Sequence, residues 1–200
     1  IEKSEKANIP SRFSGSELSG FLPGNNNDSL KNIKNIVKKF VDDYPTGQKG
    51  IMFQGETGVG KTRLLCSIAT EIFKKNKNAD IYYIDWNEMV REMKSGESHT
   101  FRDFTSINSL IQRLISAELL LIDELGASEP SQWVRDNIYF IINNRYNRQK
   151  MTLFATNYPD ISNDGKPSLS ERIGDRIRSR IYEMADTFIV KGIDYRQKWG

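Results

Sequence analysis

The chain has 200 residues, 38% apolar, 10% aromatic and 28% charged, which is enough apolar material for one packed domain and too much for a disordered tail. Its 29 Lys and Arg against 26 Asp and Glu leave a net charge of +3, too weak to announce a nucleic-acid protein, so any such contact must be local. No apolar run approaches the about 18 residues of a membrane span, and one cysteine with one histidine excludes an internal disulfide and a zinc site of the usual kind.

A cytoplasmic location is the expectation from that cysteine usage, with no membrane partner. The chain opens on Ile1 rather than Met, and a further N-terminal part is expected before it. Residues 1–28 are rich in Ser, Gly, Asn and Pro and predict an irregular arm, which Ile9, Phe13, Leu18, Phe21 and Leu22 could pin to the body. Residues 29–200 read as a single domain. Leu30, Ile33, Ile36/Val37 and Phe40/Val41 recur at helical spacing behind Ser29 and predict a helix to about Tyr44, before Pro45.

Strands and helices then alternate. Gly50–Phe53 predicts a buried strand, Thr62–Lys75 a helix, Ile81–Ile84 a second strand, and Trp86, Met89, Val90 and Met93 a helix with Asp85 and Glu88 spaced as a capping box. Leu119–Ile122 predicts the third strand, about Ser131–Arg148 a long helix, Met151–Ala155 the fourth strand, about Ser168–Glu183 a helix, and Thr187–Val190 the fifth strand. Short continuous apolar strands separated by helices predict a parallel sheet covered on both faces, hence an α/β three-layer fold.

Gly55-Glu56-Thr57-Gly58-Val59-Gly60-Lys61-Thr62 matches the phosphate-loop pattern G-x-x-x-x-G-K-[ST] in full, between a strand and a helix as that motif requires. Glycines let successive backbone N–H groups turn inward around a phosphate at a helix N-terminus. Lys61 would neutralise β- and γ-phosphate charge and Thr62 would ligate Mg²⁺, with Arg63 next in the nucleotide-binding set. Leu119-Leu120-Leu121-Ile122-Asp123-Glu124 ends a buried strand in two carboxylates: Asp123 is placed to hold Mg²⁺ directly or through water, and Glu124 to activate an attacking water. A small-molecule kinase activates a substrate hydroxyl and needs no such second acid, so the pair favours ATP hydrolysis. Asn157, just beyond the fourth strand, can hydrogen-bond the γ-phosphate or the water. Arg172, Arg176 and Arg180 recur every four residues beside Ile173, Ile177 and Ile181, with Glu183 and Asp175 as nearby acids for Arg180 and Arg178. Like charges at that spacing cost a few tenths of a kcal/mol per pair, so an anion is expected there.

In this order the motifs resemble the AAA+ ATPases of the DnaC type, the bacterial replicative helicase loaders, with the IstB-type transposition helper ATPases close beside them. The likeness runs from Ala7-Asn8-Ile9-Pro10-Ser11-Arg12-Phe13 to Gly192-Ile193-Asp194-Tyr195-Arg196. Leu121–Gly126, Ala155–Tyr158 and Ser179–Met184 resemble the Walker B, sensor 1 and arginine-finger segments. The resemblance implies a P-loop NTPase domain with a five-stranded parallel sheet, ATP and Mg²⁺ as cofactors, and self-assembly into a nucleotide-dependent oligomer. It makes Arg180 the finger completing a neighbour's site, with Arg176 as second choice, and Arg196 the sensor 2 residue. It implies delivery of a hexameric replicative helicase onto single-stranded DNA, with DNA contacts in Asn87–Phe104 through Arg91, Lys94 and Arg102; basic residues interleaved with aromatics suit that ligand. Two departures are expected: no separate helical lid after the fifth strand, and no N-terminal helicase-binding domain within these residues. Transposition helper, small-molecule kinase and nucleotide-dependent scaffold stand as the alternatives.

Overall fold

In the computed structural model, residues 5–20, 28–46, 49–95, 101–162, 165–192 and 194 are described, with Asp28, Ser29 and residues 101–104 as backbone only. Five strands, β1 (Gly50–Gln54), β2 (Ile81–Asp85), β3 (Leu119–Asp123), β4 (Met151–Thr156) and β5 (Ala185–Ile189), form one sheet in the order β2-β3-β4-β1-β5. Every neighbouring pair is parallel. The helices are α1 (Asp28–Asp43), α2 (Lys61–Lys75), α3 (Trp86–Ser95), α4 (Phe101–Ser116), α5 (Gln132–Asn147), α6 (Leu169–Ile173) and α7 (Asp175–Met184), with a short 3-10 turn at Ser11–Phe13.

The apolar runs are continuous because both sheet faces are covered. Leu119 and Leu121 of β3 pack with α1, α2 and the arm residues Ala7, Ile9 and Leu18. Leu120 and Ile122 pack with α3, α4, α5 and α7 on the other face. A parallel sheet brings all strand carboxyl ends to one edge, and β1 lies beside β4, which lies beside β3. The loop leaving β1 and the turns leaving β3 and β4 therefore meet, in the crevice where open α/β sheets bind ligands.

The arm runs along the outer side of edge strand β2 and on to α2. The Tyr83 N–H of edge strand β2 donates to Ala7 O (2.8 Å), and Asn8 Nδ2 donates to Tyr83 O (3.1 Å). Further on, Leu18 N donates to Glu71 Oε1 (3.3 Å) and Gly20 O accepts Arg63 Nη2 (2.7 Å), both on α2. Phe21 and Leu22 lie outside the described residues.

Two elements differ from the sequence reading. Helix α4 was not expected, although Ile107, Ile111, Leu114 and Ile115 are buried along one of its faces. The single late helix is two helices: Gly174 ends α6 and begins α7 with φ 92° and ψ 145°, a conformation almost confined to glycine. Ser168 and Glu171 form a capping box that starts α6. Among the described residues no helix follows β5, and no helix is long and apolar enough to cross a membrane.

Candidate functional site

The loop from Gly55 to Gly60 leaves β1 and turns into α2, with Gly58 and Gly60 at φ 83° and 99°. Glycine is required at Gly55 for space as well, and at Gly58 by its positive φ, with a side chain there also displacing Asp194. A Cβ on Gly55 would sit 2.3 Å from Val190 O, and one on Gly58 2.0 Å from Asp194 Oδ1, because the chain after β5 lies along the loop. Lys61, 8% exposed, folds its ammonium back and donates to Gly55 O (2.8 Å) and Glu56 O (2.7 Å). Val59 is buried, and exposed Glu56 pairs with Lys166 (2.8 Å).

Strand β3 delivers Asp123, 3% exposed, to the same place. Its Oδ1 accepts the Glu124 N–H (3.0 Å) and its Oδ2 the Tyr83 hydroxyl (2.9 Å), and the Thr62 hydroxyl donates to the same carboxylate. Burial pushes the Asp123 carboxyl above its ordinary value, with these donors pulling the other way. Burial, with the Asp123 charge beside it, also pushes the Tyr83 phenol up, so that hydroxyl stays protonated and donates.

The turn after β3 is locked to β4. Leu125 N donates to Ala155 O (2.8 Å) and Thr156 Oγ1 donates to Leu125 O (2.8 Å). That lock holds Glu124 in the left-handed region, φ 51°, where a residue with a side chain pays roughly 1–2 kcal/mol. Gly55 N donates to Thr156 O (3.2 Å) and Gln54 Nε2 to Tyr158 O (2.9 Å), fastening β1 to the turn that carries Asn157.

A cavity of about 280 Å³ opens where these ends meet. Thr57, Gly58, Gly60, Lys61, Thr62 and Arg63 line it from the loop, Asp123 and Glu124 from β3, Asn157 from β4, and Arg12 and Phe13 from the arm. Sequence reasoning named Arg12 only through the family likeness, named Phe13 there and as an anchor of the arm, and missed Tyr83, whose contact with Asp123 spans two strands.

The donor set fits a Mg²⁺-bound triphosphate. Thr62 and Asp123 offer hard oxygens in hydrogen-bond contact with one another, and Lys61 stands at a helix N-terminus. Among the described residues no three His, Cys, Asp or Glu gather as a self-sufficient metal centre, so Mg²⁺ would draw further ligands from phosphate and water.

The remaining expected residues lie elsewhere. Arg172 leaves the row of arginines: it donates to Gly126 O (2.8 Å), Ala127 O (3.0 Å) and Glu129 (2.8 Å), bracing the turn after β3. Arg176 and Arg180 on α7 lie over Tyr139 and Tyr146 of α5, at 4.2 Å and 4.5 Å from the ring centres. Arg180 also approaches Glu183 (3.6 Å), as its spacing predicts, whereas Arg178 pairs with Asp160 (2.8 Å) rather than Asp175. Arg91 and Lys94 are exposed on α3, beside exposed Glu92. The Arg102 side chain, His99 and Arg196 lie outside the described residues.

Comparison with known proteins agrees with this geometry. The family profile of the bacterial DnaA ATPase domain matches residues 16–185. The replicative helicase loader DnaI of Bacillus subtilis (strain 168) is 33% identical over 128 residues, 62% of this chain and 39% of that protein. The replicative helicase loader DnaC of Escherichia coli (strain K12) is 26% identical over 171 residues, 80% of this chain and 66% of that one. This chain thus spans about two fifths to two thirds of the length of these two relatives. The crystal structure of the DnaC helicase loader superposes with TM-score 0.73 at 27% identity, covering 91% of this chain and all of that one. With a phosphate loop, a two-carboxylate strand end and a polar strand end converging on one cavity, and a profile match over most of its length, the chain belongs to the bacterial DnaA ATPase-domain family of AAA+ proteins.

Proposed function

We propose that this chain is the Mg²⁺-dependent ATP-hydrolysing core of a loader that delivers a replicative hexameric helicase onto single-stranded DNA, working as an AAA+ assembly. The observation that carries the nucleotide chemistry is the convergence of Lys61, Thr62, Asp123, Glu124 and Asn157 on one cavity from three strand ends. Lys61 exchanges its loop carbonyls for β- and γ-phosphate oxygens, and the loop amides satisfy the rest. Thr62 and Asp123 would hold Mg²⁺, which would supply neutralisation of phosphate charge. Glu124 takes the proton of the attacking water, while Asn157 orients that water or the γ-phosphate. Arg12 and Phe13 line the cavity from the arm and are available to the bound nucleotide, and Arg196 serves as sensor 2. A second cation for the transferring phosphate comes from a neighbouring subunit's Arg180, in the segment that resembles the arginine finger; of the cavity's own cations besides Lys61, Arg63 is bonded to Gly20 O and Arg12 lies over the Phe13 ring.

The named activities of DnaI and DnaC support the loader reading, as do exposed Arg91 and Lys94 for single-stranded DNA. The acid pair at the end of β3 supports hydrolysis over transfer to a small-molecule acceptor. The test is a titration with ATP followed by capture of the replicative helicase from the same source. Lys61→Ala should lower nucleotide affinity by roughly 10²-fold or more, the scale of losing charge-assisted bonds. Wild type should retain the helicase in the presence of ATP. Unchanged ATP binding in the variant, or no helicase retained by the full-length protein, overturns the corresponding half of the reading.

A further inference from the structure

We infer that Tyr83 is a positioning residue for the metal site: its hydroxyl, reaching diagonally from β2 to β3, holds the Asp123 carboxylate in the plane in which it can accept Mg²⁺. This rests on the reading of Asp123 as the metal carboxylate. In the register of β2 against β3, Tyr83 pairs with Leu121 and Asp85 with Asp123, so Tyr83 and Asp123 are diagonal neighbours on one face. With strands about 4.8 Å apart and a rise of about 3.3 Å per residue, such neighbours stand about 8 Å apart at Cα, within reach of a long aromatic side chain. Tyrosine spans that gap and ends in a donor; phenylalanine would fill the same space and end in nothing.

The two carboxylate oxygens are held from two directions. Oδ1 is tied to its own chain by the Glu124 N–H and Oδ2 to the neighbouring strand by Tyr83. A carboxylate held at one oxygen turns about its last torsion, which is broad and soft. Held at both, its plane is set, and the Thr62 hydroxyl that donates to it marks the side on which the two residues could share a cation. Tyr83 is itself anchored. Its ring is 4% exposed within the core under α2, and its backbone N–H and C=O are bonded to Ala7 and Asn8 of the arm. A hydrogen bond to a metal ligand typically changes metal affinity by about 10–100-fold when removed.

The test separates metal binding from fold and from turnover. Affinity for a fluorescent ATP analogue is measured in EDTA and across a Mg²⁺ titration, for wild type, Tyr83→Phe, Tyr82→Phe and Asp123→Asn. Tyr83→Phe should bind the analogue normally in EDTA, yet need roughly tenfold more Mg²⁺ to reach half of the Mg²⁺-dependent gain. Tyr82→Phe, whose side chain points to the opposite face of β2, should titrate as wild type. Asp123→Asn should lose the Mg²⁺-dependent gain. If Asp123→Asn loses it while Tyr83→Phe titrates as wild type, or if Tyr83→Phe loses affinity equally in EDTA and in Mg²⁺, Tyr83 only braces the core and the inference is overturned. If Asp123→Asn keeps the gain, the metal reading of Asp123 fails first, and this inference with it.

Discussion

The carboxyl ends of β1, β3 and β4 and the arginine pair of helices α6 and α7 carry the two halves of the proposed chemistry, and they are built on different principles. At the strand ends each group is held by bonds from neighbouring strands: Asp123 by Tyr83, the turn carrying Glu124 by Ala155 and Thr156, and the turn carrying Asn157 by Gln54. In α6 and α7 the position of each arginine follows the phase of its helix, and Gly174 resets that phase. Arg172 consequently serves its own chain beneath Gly126, while Arg176 and Arg180 stay together over Tyr139 and Tyr146. A contiguous motif at the end of a strand is carried to the site as one unit by the sheet, and its neighbours in the sheet then fix it. A motif spread over helical turns keeps its geometry only while the helix runs unbroken.

The first way to break this comparison is to ask whether the two regions work in the same subunit. Arg180→Ala should cut the turnover of the assembled protein by roughly 10³-fold or more, the scale of a missing arginine finger. ATP affinity of the monomer should stay as it is. Mixed with Glu124→Gln subunits, Arg180→Ala subunits should regain activity, because a site with Glu124 then receives an intact Arg180 from its neighbour. ATP hydrolysis assayed in mixtures shown to co-assemble decides this. No recovery would make Arg180 a brace in its own chain and move the test to Arg176, which stacks in the same way on Tyr139.

A smaller but cleaner effect is expected at Glu124. Glu124→Gln should keep ATP bound and slow turnover by about 10²-fold or more, the scale of a lost general base. Its backbone offers a second handle. Because Glu124 sits in the left-handed region, Glu124→Gly removes that cost, roughly 1–2 kcal/mol, and adds back about 0.5–1 kcal/mol of unfolded-chain entropy. Thermal unfolding should therefore change by no more than a few degrees while turnover collapses. A large loss of stability in Glu124→Gly would show that the side chain supports the fold rather than the reaction.

How much of this could be read from the sequence follows the same division. The phosphate loop, Asp123-Glu124 and Asn157 were legible because each is a short string at the end of an apolar run, and the parallel sheet supplies their meeting point without further information. Tyr83 was not legible, because its role depends on the register of β2 against β3, and Tyr82 beside it is chemically identical. Helix α4 was missed for another reason. Its apolar positions Ile107, Leu110, Ile111, Leu114 and Ile115 follow a helical period, but the stretch leading into it reads more strongly as basic and aromatic, which draws attention to ligands rather than to packing. Arg172 was misplaced because spacing by fours looks the same whether or not a glycine interrupts it.

Gly174 gives the finest test, since the two readings of it differ in sign. Were residues 168–183 one helix, Gly174 would be an interior glycine, and Gly174→Ala would stabilise by about 1 kcal/mol through helix propensity. In the structure the same residue has φ 92° and ψ 145°, where any side chain costs about 1–3 kcal/mol. The new Cβ itself is not the obstacle: it would meet Arg135 Nη1 at 3.0 Å, the far end of a flexible side chain that can move aside. The penalty is therefore in the backbone, and Gly174→Ala should lower the melting temperature by several degrees for a chain of this size. The cost also has a direction. Straightening the junction would carry Arg172 away from Gly126 O and Ala127 O, loosening the turn that holds Glu124, so turnover should fall further than the lost stability explains. A melting temperature that rises in Gly174→Ala would restore the single helix and put Arg172, Arg176 and Arg180 back on one face.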